Sequence, residues 1–118
     1  MSQPAINVAA FTEMKELMGE SFKDIIAMCL QSLPEQLTKI ETAIKNQDAD
    51  IVFSTSHRMK SSCGSIGAFG LAEKAEAIEL ISRNGSTEIP DQMFNDLHDA
   101  TQQVVTILKT ELIGKRPS

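Results

Sequence analysis

Residues 21–47 read SFKDIIAMCLQSLPEQLTKIETAIKNQ, and the placing of the apolar residues in that run decides the fold. Phe22, Ile25, Ile26, Cys29, Leu33, Leu37, Ile40 and Ile44 recur at threes and fours, the spacing that gathers side chains on one face of a helix. Gly19 and Ser21 mark its start. Pro34 falls inside the pattern, where it removes a backbone hydrogen bond and crowds the carbonyl one turn back, so one kinked helix is expected rather than two.

Working outward, the same periodicity continues in both directions. Phe11, Met14, Leu17 and Met18 suggest a short amphipathic helix over about 10–18. Asn46-Gln47-Asp48 is polar and cap-like, and the next helix, starting near Asp48 or Asp50, should run to Ile66. A Gly67–Gly70 turn then leads to a helix from Leu71 to Ser82, with Leu71, Ala75 and Ile78 inward. Arg83-Asn84-Gly85-Ser86 is the clearest break. Pro90-Asp91 opens a last helix with the apolar set Phe94, Leu97, Val104, Val105, Leu108 and Leu112, ending at Gly114 before Lys115-Arg116-Pro117. No segment alternates with period two. The expected fold is therefore all-α: an antiparallel, up-down-up-down four-helix bundle over about 20–113, with a short additional N-terminal helix, the 118 residues making one domain.

Composition agrees with helices packed on helices, because aromatic residues are only 4% and neither Trp nor Tyr is present, leaving aliphatic residues, Met and five Phe to build the core. A net charge of −5 argues against nucleic acid, whose phosphates require a clustered basic surface. Protein partners fit better. The chain shows no run of 18 apolar residues and no basic-then-apolar leader, so it is read as cytoplasmic and as neither membrane-spanning nor secreted. Without secretion, Asn84-Gly85-Ser86 is a polar turn rather than a glycosylation site. Cys29 and Cys63 lack the spacing of a zinc site and read as small buried residues.

Within the helix of residues 50–66, Val52, Ser56, Met59, Cys63 and Ile66 share a narrow arc at spacings of four, three, four and three, which is the buried seam. His57 falls roughly 140° from the seam's centre, with Phe53, Lys60, Ser61 and Gly64 between about 80° and 180° on the same side. Small side chains there give up helix propensity, about 1 kcal/mol for Gly against Ala, and leave clearance around an exposed imidazole. Clearance matters when another macromolecule must bring a reactive group to it. Imidazole is nucleophilic at neutral pH, and a lysine one turn on can neutralise phosphoryl oxygens. Arg58 adds positive charge in a different direction. His98, by contrast, reads as a solvated surface residue.

Other chemistries fit less well. Ser61 or Ser62 as a nucleophile with His57 as base would need a carboxylate to orient the imidazole, and none lies on that strip. Cys63 points about 120° away from His57, so the two, with or without His98, do not form a metal site. A helical adaptor with no chemistry is the bland alternative. No Gly-x-x-x-x-Gly-Lys-Ser/Thr loop is present, and Gly64, Gly67 and Gly70 follow a helix rather than a strand, so ATP binding is not expected.

The run from Ser56 to Ala68 resembles the histidine-containing phosphotransfer (HPt) domains of bacterial and fungal phosphorelays. Their signature is His, a hydrophobic residue at +2, Lys at +3, Gly at +4, small residues at +5 and +6, and a Gly-small pair near +10. Met59, Lys60, Ser62, Cys63, Gly67 and Ala68 stand at those places here, and Ser61 stands where the family usually has Gly. Leu71 and Ile78-Glu79 resemble downstream positions of the pattern, and Leu33-Pro34-Glu35-Gln36-Leu37 and Asp48–Val52 upstream ones, so the resemblance spans roughly Phe22 to Leu80. It implies a phosphoryl carrier rather than a kinase, and the chain is read as a stand-alone monomer. In that reading His57 takes a phosphoryl group from a receiver-domain aspartyl phosphate and passes it to another receiver, and Lys60 stabilises the phosphoryl charge. Ser61, Gly64, Phe53 and Arg58 would serve docking and clearance. The partners implied are receiver domains of a hybrid sensor kinase and of response regulators, and the carrier needs no metal or cofactor of its own because Mg²⁺ is expected on the receiver.

Overall fold

The structure, a computed structural model, describes residues 3–113 as five α-helices, with no strand among them. They are α1 (Val8–Met18), α2 (Ser21–Lys45), α3 (Ala49–Gly64), α4 (Phe69–Arg83) and α5 (Asp91–Ile113). Helix α2 packs on α3, α3 on α4, α4 on α5 and α5 back on α2, while neither diagonal pair touches. The four long helices thus close a ring around one core. The connections at 46–48 and 65–68 are too short to cross the bundle, so consecutive helices run antiparallel. Helix α1 lies outside the ring against α2, where Phe11 meets Phe22 edge to face with centroids 5.3 Å apart.

The apolar stripe of α2 faces inward as its spacing requires: Phe22, Ile26, Cys29, Leu33, Leu37 and Ile40 are buried, and Ile25 and Ile44 pack at its edge. One helix runs through Pro34, which is itself exposed. The Leu30 carbonyl that Pro34 leaves without a donor therefore lies toward the water side. Leu71, Ala75 and Ile78 of α4 and Leu97, Val104 and Leu108 of α5 complete the core. Two expected apolar contacts fail. Leu17 is 88% exposed, the next residue, Met18, packing on the core in its place, and Leu112 lies at the surface.

Several helix ends differ from those read in the sequence, and each difference has a local cause. Helix α1 begins at Val8 rather than near residue 10, because the Asn7 side chain accepts a hydrogen bond from the Ala10 N–H at 2.9 Å. Asp48 caps α3 in the same way through the Ile51 N–H, at 3.2 Å. Helix α3 stops at Gly64 rather than Ile66: the Ala68 N–H reaches back to the Cys63 carbonyl at 2.9 Å, and Gly67 takes the left-handed conformation (φ 77°) that this closure requires. Ile66 stays fully buried within the turn.

Helix α4 starts at Phe69 and takes Gly70 into its first turn. The reason is the chain's own N-terminal segment, which lies across this corner. Asn7 N–H donates to the Gly67 carbonyl at 2.8 Å and Leu71 N–H to the Ala5 carbonyl at 3.0 Å, Ile6 is buried, and a Cβ on Gly70 would run into the Pro4 carbonyl. At the other end α4 continues to Arg83, a residue read from the sequence as part of the break. The expected stop of α5 at Gly114 lies outside the described residues.

Candidate functional site

Helix α3 presents the faces that its periodicity requires. Val52, Ser56, Met59, Cys63 and Ile66 are buried, whereas His57 has 55% of its side chain exposed. Ser56 and its counterpart on α4, Ser82, direct their hydroxyls to carbonyls three and four residues back in their own helices, which satisfies them inside the packed layer. Both thiols are buried. Burial pushes Cys63 up to about 12, with Cys29 nearby adding to the shift, and burial raises Cys29 as well, so neither is a thiolate at neutral pH.

The structure adds the carboxylate that no residue of the α3 strip supplies. Glu79, on α4, is only 1% exposed and extends across the α3/α4 interface. Its Oε2 lies 2.9 Å from His57 Nδ1 and its Oε1 lies 2.8 Å from Lys60 Nζ. No carboxylate stands on the α3 strip itself, as its sequence indicates, and the group that orients the imidazole comes from the neighbouring helix. A buried carboxylate requires partners for its charge, and here both oxygens have them.

The electrostatics of Glu79 set two opposing effects against each other. Burial alone would raise its pKa, but hydrogen bonds from Lys60 and His57, with the charge of Lys60 behind them, hold it below the usual carboxylate value. Glu79 is therefore an anion at neutral pH, hydrogen-bonded to His57 through Oε2 and ion-paired with Lys60 through Oε1. An accepting carboxylate at Nδ1 places the ring proton on Nδ1 and the free lone pair on Nε2. Since Nδ1 is tied to a buried group, the exposed edge of the ring is the one that carries Nε2.

The other expected site residues divide between the two flanks of α3. Phe53 is half-buried and its ring stacks on that of His57, with centroids 6.1 Å apart and planes 18° from parallel, so it braces the imidazole from one turn below. Lys60 is engaged with Glu79 rather than standing free beside the imidazole. Ser61 is exposed and Gly64 partly exposed, and a Cβ on Gly64 would meet nothing within 4 Å. The fold itself does not require glycine there. Arg58 is exposed.

Two residues near the histidine were not identified from the sequence as site residues. Glu79 was quoted only as part of a pattern, yet it sits in the inward stripe of α4 with Ala75, Ile78 and Ser82, and a carboxylate in such a stripe signals a cation waiting across the interface. Arg83, whose NH2 lies 4.0 Å from Glu79 Oε2, left no signal beyond its i, i+4 spacing from Glu79. His98 is half-exposed on α5, with only Asp99 near its ring, at 3.4 Å. Among the described residues no group of three or more His, Cys, Asp or Glu side chains is placed to hold a metal ion, and no helix is long and apolar enough to cross a membrane.

Comparison with known proteins points to one family. The Hpt domain family matches residues 24–107, most of the chain. Among solved structures, the fold is similar to histidine-containing phosphotransfer protein B (HptB) from Pseudomonas aeruginosa PAO1, with a TM-score of 0.85 and 20% identity over 98% of this chain and 100% of that one. It is also similar to the HPT domain of a sensor hybrid histidine kinase from Shewanella, with a TM-score of 0.78 and 20% identity over 96% of this chain and 97% of that one. No curated protein matches the sequence.

Proposed function

The chain belongs to the Hpt domain family, and from that premise we propose that His57 is its phosphoryl-carrying residue, loaded from the aspartyl phosphate of one receiver domain and discharged to the aspartate of another. The observation that carries this reading is the buried Glu79 carboxylate 2.9 Å from His57 Nδ1, on a ring more than half exposed. It supports attack by Nε2.

The chemistry follows from that arrangement. The Nε2 lone pair forms a bond to phosphorus as the phosphorus–oxygen bond of the aspartyl phosphate breaks, and the electron pair leaves with the aspartate carboxylate. The ring keeps its Nδ1 proton and becomes cationic, and Glu79, an anion at its Nδ1 edge, stabilises that charge. Reversal on the second receiver returns the neutral ring. Phe53 and Glu79 hold the ring in one orientation, which lowers the entropy that must be lost on reaching the transition state. Lys60 is the cation nearest the arriving phosphoryl oxygens.

In this reading the carrier contributes alignment and charge, while the receiver contributes the divalent metal and the reactive phosphate. Ser61 and Gly64 form the low surface over which a receiver settles. Arg58, on the other flank, would meet a receiver only at the rim of the interface. The protein requires no ATP and no cofactor of its own.

A purified receiver domain carrying labelled aspartyl phosphate, mixed with the protein and Mg²⁺, is expected to transfer label into an acid-labile, base-stable form that the His57→Gln variant cannot accept. Failure to take label from any receiver domain of the source organism would overturn the carrier function.

A further inference from the structure

The carrier reading gives Arg83 no task, yet its position is specific. It is the last residue of α4, its side chain is more than half exposed, and its NH2 stands 4.0 Å from Glu79 Oε2. That separation is too long for a hydrogen bond and short enough for a side-chain rotation to close. Around the one carboxylate stand two permanent cations, Lys60 at 2.8 Å and Arg83 at 4.0 Å, together with the imidazole at 2.9 Å. The resting cluster holds one cation more than it has anions.

An arriving phosphoryl group changes that balance. It brings negative charge to Nε2, and Lys60, the cation one helical turn on, is already engaged with Glu79 Oε1. Lys60 cannot turn fully to the phosphoryl oxygens without leaving a buried carboxylate oxygen bare, which gives up the 2.8 Å ion pair and leaves the desolvation of that oxygen uncompensated. Unless another cation moves in, the pairing with Glu79 holds Lys60 back.

Resting on the carrier reading, we infer that Arg83 is the reserve counter-ion of Glu79: as Lys60 swings to the phosphoryl group on His57, the Arg83 guanidinium closes on the carboxylate that Lys60 leaves. The exchange keeps both anions paired before and after loading. It makes Arg83 a positioning residue, acting on the phosphoryl group only through the release of Lys60. Arginine suits the role because its fork of donors meets a carboxylate well and its charge persists at any working pH.

Chemical loading with phosphoramidate tests this without a receiver: an Nε2–phosphorus bond forms, the donor's phosphorus–nitrogen bond breaks, and ammonia leaves with the electron pair. Intact-mass measurement of the phosphorylated fraction follows the rate. The expected result is a loss of about tenfold in both Arg83→Gln and Lys60→Ala, with the double variant no slower than Lys60→Ala alone and Arg83→Lys largely restored. Wild-type loading by Arg83→Gln, or losses that multiply in the double variant, would overturn the exchange. No loading of the unaltered protein, with His57 intact, would instead count against the carrier reading. A second measurement is independent of loading. In the Lys60→Ala protein, where the lysine is permanently gone, Arg83→Gln should lower the thermal unfolding midpoint clearly more than it does in the unaltered protein. Equal effects in the two backgrounds would show that Arg83 does not move in.

Discussion

At the scale of single residues, Glu79 organises the site. A buried carboxylate facing two nitrogens at 2.8 and 2.9 Å fixes the imidazole tautomer, anchors Lys60 and joins α3 to α4. Its folded pKa lies below the ordinary carboxylate value, since the bonds to Lys60 and His57 outweigh burial. The unfolded chain therefore binds a proton at this residue more readily than the folded one. The resulting stability is present above the ordinary carboxylate range and is lost as the pH falls through the lowered folded value. Glu79→Gln removes that titration. Urea midpoints measured from neutral pH down to about pH 3 should fall less steeply for the variant than for the unaltered protein, and parallel acid limbs would show that the carboxylate is not paired as described.

At the scale of helices, periodicity was enough to recover all five elements, and also to place the α3 seam and the exposed strip that holds His57, because a 3.6-residue repeat assigns inward and outward positions without reference to a partner. It could not place contacts between helices. The link from Glu79 to His57 spans 22 positions and depends on how α3 and α4 register, which one helix's wheel does not contain. The α3/α4 corner was misjudged for a related reason. Gly67–Gly70 reads as a loose glycine turn, whereas Gly67 closes α3 and Gly70 lies in the first turn of α4 under a strap made by residues 4–7, far away in sequence.

Gly64 shows the opposite relation between sequence and fold. Its backbone is ordinary and a Cβ there would meet nothing, so neither the corner nor the core demands glycine. Gly64→Ala should leave the unfolding midpoint unchanged or raise it, by up to about 1 kcal/mol of helix propensity. If the strip is kept low for a docking receiver, the same variant should load from phosphoramidate at the normal rate and from a receiver domain about tenfold more slowly. An equal rate from both donors would remove Gly64 from the docking surface.

At the scale of the whole molecule, the proposed function makes the bundle a support for one nucleophile. The molecule, with overall extents of 47 × 28 × 23 Å, sets His57 on an exposed outer face of the bundle. Such a face does not exclude water on its own, as an enzyme pocket does, and in the proposed function a receiver domain completes the site by covering it. That division of labour explains why so little machinery surrounds the histidine: one carboxylate behind the ring, one aromatic brace beneath it, and a lysine at its side.

The most direct test of the central claim is which ring nitrogen of His57 carries phosphorus. In protein labelled with ¹⁵N in its histidines and then phosphorylated, the phosphorus–nitrogen coupling should fall on Nε2, with Nδ1 still bearing its proton toward Glu79. Coupling to Nδ1, or phosphorus bonded to any residue other than His57, would contradict the account.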